Sequence, residues 1–227
     1  MNNKAELIGE LVSDFLYSHE SFGETFYIFT VKVPRLSDCV DYINVTSSAD
    51  LLSQCDYKIG DILHICGQFR SYNNYSGVGS KLVLTLFAKS IFLAPPDFQY
   101  VNQVELDGYI CKTPVYRTTP FGREITDILL AVNRTHNKSD YIPCIAWGKN
   151  ARITKDFDVG SHVSILGRMQ SRQYQKRIDE NNTETRIAYE ISLSSVILSQ
   201  NLEFSSGISN YDYIQETERH TIGFAEN

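Results

Sequence analysis

Long apolar runs are missing from this 227-residue chain: no stretch approaches the roughly 20 residues that a membrane-spanning helix requires. Met1 to Glu10 also mixes acids among its apolar positions, without the basic-then-apolar order of a secretory signal, so a cytoplasmic protein with no membrane contact is expected. Cysteine is sparse and unpatterned. The five (Cys39, Cys55, Cys66, Cys111, Cys144) are odd in number and include no C-x-x-C pair. That argues against a disulfide framework or zinc finger and for small buried side chains in a reducing compartment. The five histidines are scattered, none at a familiar metal-ligand spacing from another histidine or a cysteine, so no metal or other cofactor is expected. Gly77-x-Gly79 is too short to cradle a phosphate and lacks a following Lys-Ser or Lys-Thr helix start. Acids do not cluster, and Asp156 and Asp158 flank an expected helix end as solvated groups. The chain therefore reads as a non-enzyme. A surplus of positive charge is missing too: 21 basic residues face 27 acidic ones, a net −6. That total disfavours a nucleic-acid partner only if the charge is evenly spread.

What is present is a repeat. Glu6-Leu7-x-Gly9 recurs as Glu105-Leu106-x-Gly108, Phe22-Gly23 as Phe121-Gly122, and Asp41-Tyr42-Ile43 as Asp140-Tyr141-Ile142, each 99 positions later. Gly60, Gly67 and Ser71 then recur 100 positions later as Gly160, Gly167 and Ser171, so one insertion accounts for the change of phase. The chain divides into a first copy at 3–96, a linker at 97–101 after Pro95-Pro96, a second copy at 102–198 and a tail at 199–227. Charge divides with it. The first copy holds 7 basic and 10 acidic residues and the second 13 and 11, a balance of +2, while Arg219 alone offsets five acids in the tail. An acidic total thus coexists with a basic second copy.

Within each copy the apolar pattern has the period of half-buried strands. Ile187, Tyr189, Ile191 and Leu193 alternate with Ala188, Glu190, Ser192 and Ser194, and Tyr27, Phe29, Val31 and Val33 alternate with Ile28, Thr30 and Lys32. The second copy reads as strands near 103–112, 125–134, 140–147, 161–168 and 186–197. A short helix between the third and fourth places Ile153 and Phe157 on one face. In the first copy Ser48 caps the equivalent helix, with Leu51 and Cys55 on one face. Five strands with a helix between the third and fourth is the order of an OB-fold barrel, so the fold class is all-β with short helices, two tandem five-stranded OB-folds. Phe22, Phe26, Phe29, Phe69, Phe87 and Phe92 are expected to pack inside.

The second copy carries Asn102, Val104, Leu106 and Gly108, then Pro114, Arg117, Thr119, Pro120 and Gly122. Tyr141 and Trp147-Gly148-Lys149-x-Ala151 follow, and the series closes on Val159-Gly160-Ser161-x-Val163-x-Ile165-x-Gly167-Arg168-x-x-Ser171-Arg172-x-Tyr174. In these residues it resembles the bacterial single-stranded DNA-binding protein family and its relative, the primosomal replication protein N. The first copy keeps Leu7, Gly9, Gly23, Tyr42, Gly60 and Gly67, but has no proline in Val12–Ser18 and puts Thr46-Ser47-Ser48 where the second has Trp-Gly-Lys.

The resemblance implies single-stranded DNA binding in replication, recombination or repair. Such strands are held by cationic grooves that track phosphates and by aromatic faces that stack bases at about 1–3 kcal/mol each. Arg117 and Arg123 fall in the loop after the first strand of the second copy, Arg134, His136 and Lys138 in the next hairpin, and Arg168, Arg172, Lys176 and Arg177 in the loop between strands four and five. By resemblance Tyr141, Trp147 and Tyr174 hold the stacking positions and Lys149 belongs to the same site. The first copy offers Tyr42, Tyr72 and Tyr75 around Arg70 and Lys81, a weaker set because fewer phosphates are neutralised. Plainer readings stand beside these: Trp147 as core, Tyr42 and Tyr141 as barrel wall, 168–177 as a solvated hairpin, or the chain as an interaction module of a primosome or mobile element. Stacking does not separate DNA from RNA. Family members commonly assemble four OB-folds, which implies a homodimer here. Their acidic tails dock replication and repair proteins, but this tail ends Gly223-Phe224-Ala225-Glu226-Asn227 without the usual aspartate run and Pro-Phe.

Overall fold

The computed structural model describes residues 2–35, 37, 39–73, 82–135, 138–177 and 183–199. Along the first copy run β1 (Asn3–Leu11), β2 (Leu16–Ser21), β3 (Glu24–Pro34), β4 (Val40–Ser48), α1 (Ala49–Leu52), β5 (Ile62–Asn73) and β6 (Leu82–Leu93). The second holds β7 (Val101–Thr118), β8 (Glu124–Asn133), β9 (Ser139–Trp147), α2 (Lys149–Thr154), β10 (His162–Arg177) and β11 (Thr183–Leu198). Pairing closes two circuits. In the first, β1 joins β5, β5 joins β6, β6 joins β4 in parallel, and β4 returns through β3 to β1. In the second, β7 joins β10, β10 joins β11, β11 joins β9 in parallel, and β9 returns through β8 to β7. Each helix lies between the third and fourth strands of its circuit, the OB arrangement. Ser48 caps α1, its hydroxyl accepting from Leu51 N at 3.4 Å.

The copies differ at their first strand. β7 is a single run whose register shifts around Lys112 and Pro114, whereas the first copy breaks into β1 and β2. Two segments expected to be loops are strand. Arg117 lies on β7, and β10 continues through 168–177, paired with β11 as far as Arg177↔Thr183. Beyond Ser171 the β10 sequence from Arg172 to Arg177 lacks the apolar alternation by which a strand is read, while cross-strand partners such as Thr185 and Ile187 still favour extension. The Gly67 and Gly167 landmarks have a steric cause. Both sit at a register shift, where a Cβ would meet Phe87 O at 2.1 Å or Ser192 O at 2.5 Å.

The circuits are joined by strand pairing. β1 and β7 run antiparallel from Asn3↔Leu106 to Ile8↔Val101, and Ala5 faces Val104, its own counterpart in the repeat, so a pseudo-two-fold axis passes through that pair. Asn3 donates to Phe69 O and accepts from Phe69 N, and Asn102 does the same with Met169. One apolar cluster runs through both circuits, including Leu7, Phe29, Leu63, Ile65 and Phe69 on one side and Leu106, Leu130, Val163, Ile165 and Ile191 on the other. The phenylalanines divide. Phe26, Phe29 and Phe69 are buried, but Phe22 stands fully exposed at the tip of the β2–β3 hairpin and Phe92 points outward from β6. A hairpin tip has no neighbouring strand to cover it, and Phe92 stands on the outer face of β6, so the expectation that both pack inside is corrected. Glu190, expected outward, is buried and accepts from Gln170 Nε2 at 2.6 Å. No helix among the described residues is long and apolar enough to cross a membrane.

Candidate nucleic-acid interface

The repeated Asp-Tyr-Ile and the repeated serine build a reciprocal clasp. Asp41, on β4, is buried and receives Arg35 through Nε to Oδ2 at 2.7 Å and Nη2 to Oδ1 at 2.6 Å. Its Oδ1 also accepts the backbone N–H of Ser171 from the other barrel at 2.9 Å, and Ser171 Oγ accepts from Tyr42 N. The mirror image follows. Asp140 Oδ1 accepts from Arg134 Nη2 at 2.7 Å and Ser71 N at 2.6 Å, and Ser71 Oγ accepts from Tyr141 N. The copies are not equal: Arg35 grips with two nitrogens, Arg134 with one, leaving Arg134 Nε and Asp140 Oδ2 buried without a hydrogen-bond partner among the described residues. Burial pushes the Asp140 carboxyl above its ordinary range, against the opposing pull of Ser71, Arg134 and Arg70.

Each clasp delivers one barrel's arginine to a groove on the other. The second-barrel groove, of about 820 Å³, is lined by Trp147, Arg123, Arg168, Gln170, Ser171, Arg172 and Ser192, with Arg35, Ser37, Cys39 and Val40 arriving from the first barrel. Burial first, and the Arg35 charge second, pull Arg168 below its ordinary pKa. The first-barrel groove, of about 600 Å³, gathers His19, Phe26, Arg70, Tyr72, Val83 and Phe87 with Arg134 from the second barrel. There burial and then Arg134 pull Arg70 down in the same way, while its guanidinium lies 3.9 Å from the Phe87 ring centroid. Two guanidinium groups of opposite origin thus crowd each groove, and an anion placed between them relieves the repulsion. Buried Glu190, 3.6 Å from Arg172 Nε, partly balances the second groove from beneath.

The expected site residues separate accordingly. Arg123, Trp147, Arg168 and Arg172 share the second groove, and Arg70 and Tyr72 share the first. Trp147 is 36% exposed, which corrects the reading of it as a core residue. Arg134 contributes its charge to the first groove but is held by Asp140 rather than free on a hairpin. Arg117 is paired through Nε with Asp127 Oδ2 at 2.8 Å, outside either groove. Tyr42 and Tyr141 are half-exposed beside the clasps, so they are not interior wall residues. Lys138 and Lys149 are exposed, before β9 and at the start of α2. Tyr174, Lys176 and Arg177 lie on the far end of β10, opposite Arg186, Glu184 and Thr183. Tyr75, Lys81 and His136 lie outside the described residues, as does the tail beyond Ser199. Phe26 and Phe87, expected to pack inside, line the first groove, and Arg35 is a groove residue that sequence reasoning missed. The signal was available, because Arg35 stands 99 positions before Arg134, in the same phase as Asp41 and Asp140.

The model of the Single-strand binding protein family matches residues 101–196. Single-stranded DNA-binding protein B of Bacillus subtilis (strain 168) is 34% identical over 93 residues, covering 38% of this chain and 82% of that protein. Single-stranded DNA-binding protein 1 of Staphylococcus aureus (strain COL) is 36% identical over 84 residues, and the chain spans 50% of its length. The crystal structure of wild-type single-stranded DNA binding protein from Thermus aquaticus superimposes with a TM-score of 0.70 at 18% identity, over 90% of this chain and 96% of that one, which shows a common fold through both barrels. By its identity to the Bacillus subtilis protein over most of that protein's length, this chain belongs to the single-strand binding protein family.

Proposed function

We propose that the protein binds single-stranded DNA without regard to sequence, in DNA replication, recombination or repair, and performs no chemistry on it. The observation that carries this reading is the second-barrel groove, where Arg35, Arg123, Arg168 and Arg172 line one pocket with the partly exposed Trp147. Phosphates relieve the crowded guanidinium groups and a base stacks on the indole, the two ingredients of sequence-tolerant strand binding. The first groove, with Arg70, Arg134, Phe26, Tyr72 and Phe87, is a second and weaker segment of the same path. Two chains associate to bring four barrels to one strand, and the protein works in the cytoplasm at the nucleoid.

Because Trp147 is the single tryptophan, titration with oligo-dT reads the site directly through its fluorescence. Quenching on binding is expected, with log K falling against log salt by roughly 0.7 per phosphate contacted, or about 3 for four contacts. Absence of binding at low salt, or affinity indifferent to salt, refutes the reading. Competition with single-stranded RNA and duplex DNA sorts the strand preference, and light scattering measures the assembly.

A further inference from the structure

The geometry points to a zinc site on the outer face of the first barrel, formed by Glu6 of β1 with His64 and Cys66 of β5, away from both grooves. A carboxylate oxygen, an imidazole nitrogen and the thiol sulfur lie within 4.8 Å of one another, all three side chains half-buried. His64 Nε2 is 2.9 Å from Glu6 Oε1 and 3.6 Å from Cys66 Sγ, so the nitrogen stands between the other two donors. Donors on a tetrahedral zinc are separated by roughly 3.3–3.7 Å, given metal–ligand lengths of about 2.0–2.3 Å, a spacing close to the 2.9 and 3.6 Å found here.

The strand explains why the linear spacing concealed this set. His64 and Cys66 are i and i+2, a pair that a β-strand puts on one face, and antiparallel register sets Glu6 directly opposite Cys66. Ser90 lies opposite Cys66 on β6, and Phe92 lies opposite His64. Mixed nitrogen, sulfur and oxygen donors suit zinc among the common divalent ions, and three protein ligands leave a fourth position open to water or a small anion. The second copy carries Glu105, Ser164 and Leu166 at the equivalent positions, so the set is not repeated there. A bound ion clips β1 to β5 beside the β1–β7 seam, where Glu6 also faces Gln103.

Titration of the metal-free full chain with Co²⁺ as a spectroscopic probe tests this. Saturation at one ion per chain is expected, with visible d–d bands and a sulfur-to-cobalt charge-transfer band in the near ultraviolet that Zn²⁺ displaces. Cys66→Ser should abolish the charge-transfer band, and His64→Ala should weaken binding at least about tenfold, the least expected when even outer-shell changes cost that much. In the unmodified chain, Zn²⁺ should slow alkylation of Cys66, mapped by mass spectrometry, and a chelator should restore it. A charge-transfer band that survives in folded Cys66→Ser, failure to saturate at one ion, or alkylation of Cys66 at the same rate with and without Zn²⁺ each overturns the proposal.

Discussion

Replacing Asp41 and Asp140 one at a time by asparagine separates two copies of a clasp that look alike in sequence. In Asp41→Asn the Arg35 guanidinium loses a carboxylate that it grips through Nε and Nη2, and one amide N–H₂ is turned toward its donors. Removing one partner of a buried ion pair costs about 3–5 kcal/mol, and because the Arg35 side chain keeps 20% exposure the lower end, about 3 kcal/mol, is expected. In Asp140→Asn the amide oxygen keeps the Ser71 and Arg134 hydrogen bonds, and the N–H₂ occupies the place of Oδ2, which bonds nothing among the described residues. The loss there is about 1 kcal/mol, the difference between hydrogen bonds to a charged and to a neutral acceptor. In a chain of this size those figures correspond to melting points lower by roughly 6–12 °C and 2–4 °C. Urea unfolding followed by circular dichroism and by Trp147 fluorescence measures both. Equal costs, or a larger cost at Asp140, refute the assignment of the two-nitrogen grip to the first copy.

Other measurements test the remaining readings. Because burial raises the Asp140 carboxyl pKa in the folded state, its protonation favours folding: that contribution is complete below the ordinary carboxylate value of about 4 and lost as pH rises through the raised folded value. The cost of Asp140→Asn, whose side chain imitates the neutral acid without titrating, should therefore be larger near pH 4 than near pH 7; a cost independent of pH contradicts this. Trp147→Ala should weaken oligo-dT binding by roughly 5- to 150-fold, the loss of one stacked base, in a filter-binding or anisotropy assay; an unchanged affinity removes Trp147 from the site. Arg168→Ala and Arg35→Ala should each weaken binding and lower the salt slope by about 0.7, whereas Arg117→Ala, already paired with Asp127, should leave both nearly unchanged. Gly167→Ala drives a Cβ to 2.5 Å from Ser192 O and should cost about 1–3 kcal/mol in urea unfolding; a neutral result shows that the bulge absorbs it.

The barrels were legible because their signal is local. Alternation in Phe29, Val31 and Val33 and in Ile191 and Leu193, together with glycines at fixed offsets, reflects a pleat and a bulge that each copy repeats. The reach of β10 was not legible, since the sequence from Arg172 to Arg177 has no apolar alternation to mark a strand. The candidate site was half legible: Trp147, Arg168 and Arg172 were identifiable within one copy, but Arg35 reaches its groove across the pseudo-two-fold axis. Pairwise offsets show that two residues are equivalent, not that one barrel lends a side chain to the other. The juxtaposition of Glu6, His64 and Cys66 was hidden for a related reason, because strand register, not sequence distance, brings the first to the other two.

The seam between β1 and β7 has an evolutionary consequence. Two separate copies of one barrel that meet about a true dyad must carry the same residue on both sides of it, so any change to one groove is imposed on its twin. Here the dyad falls between Ala5 and Val104, which are not identical, and neither are the arginine grips on either side. Covalent linkage fixes a one-to-one pairing of unlike halves and frees each from copying the other. One half is acidic and the other basic, and the seam holds both. The link therefore makes the contact between the halves asymmetric, with each groove carrying its own arginine grip.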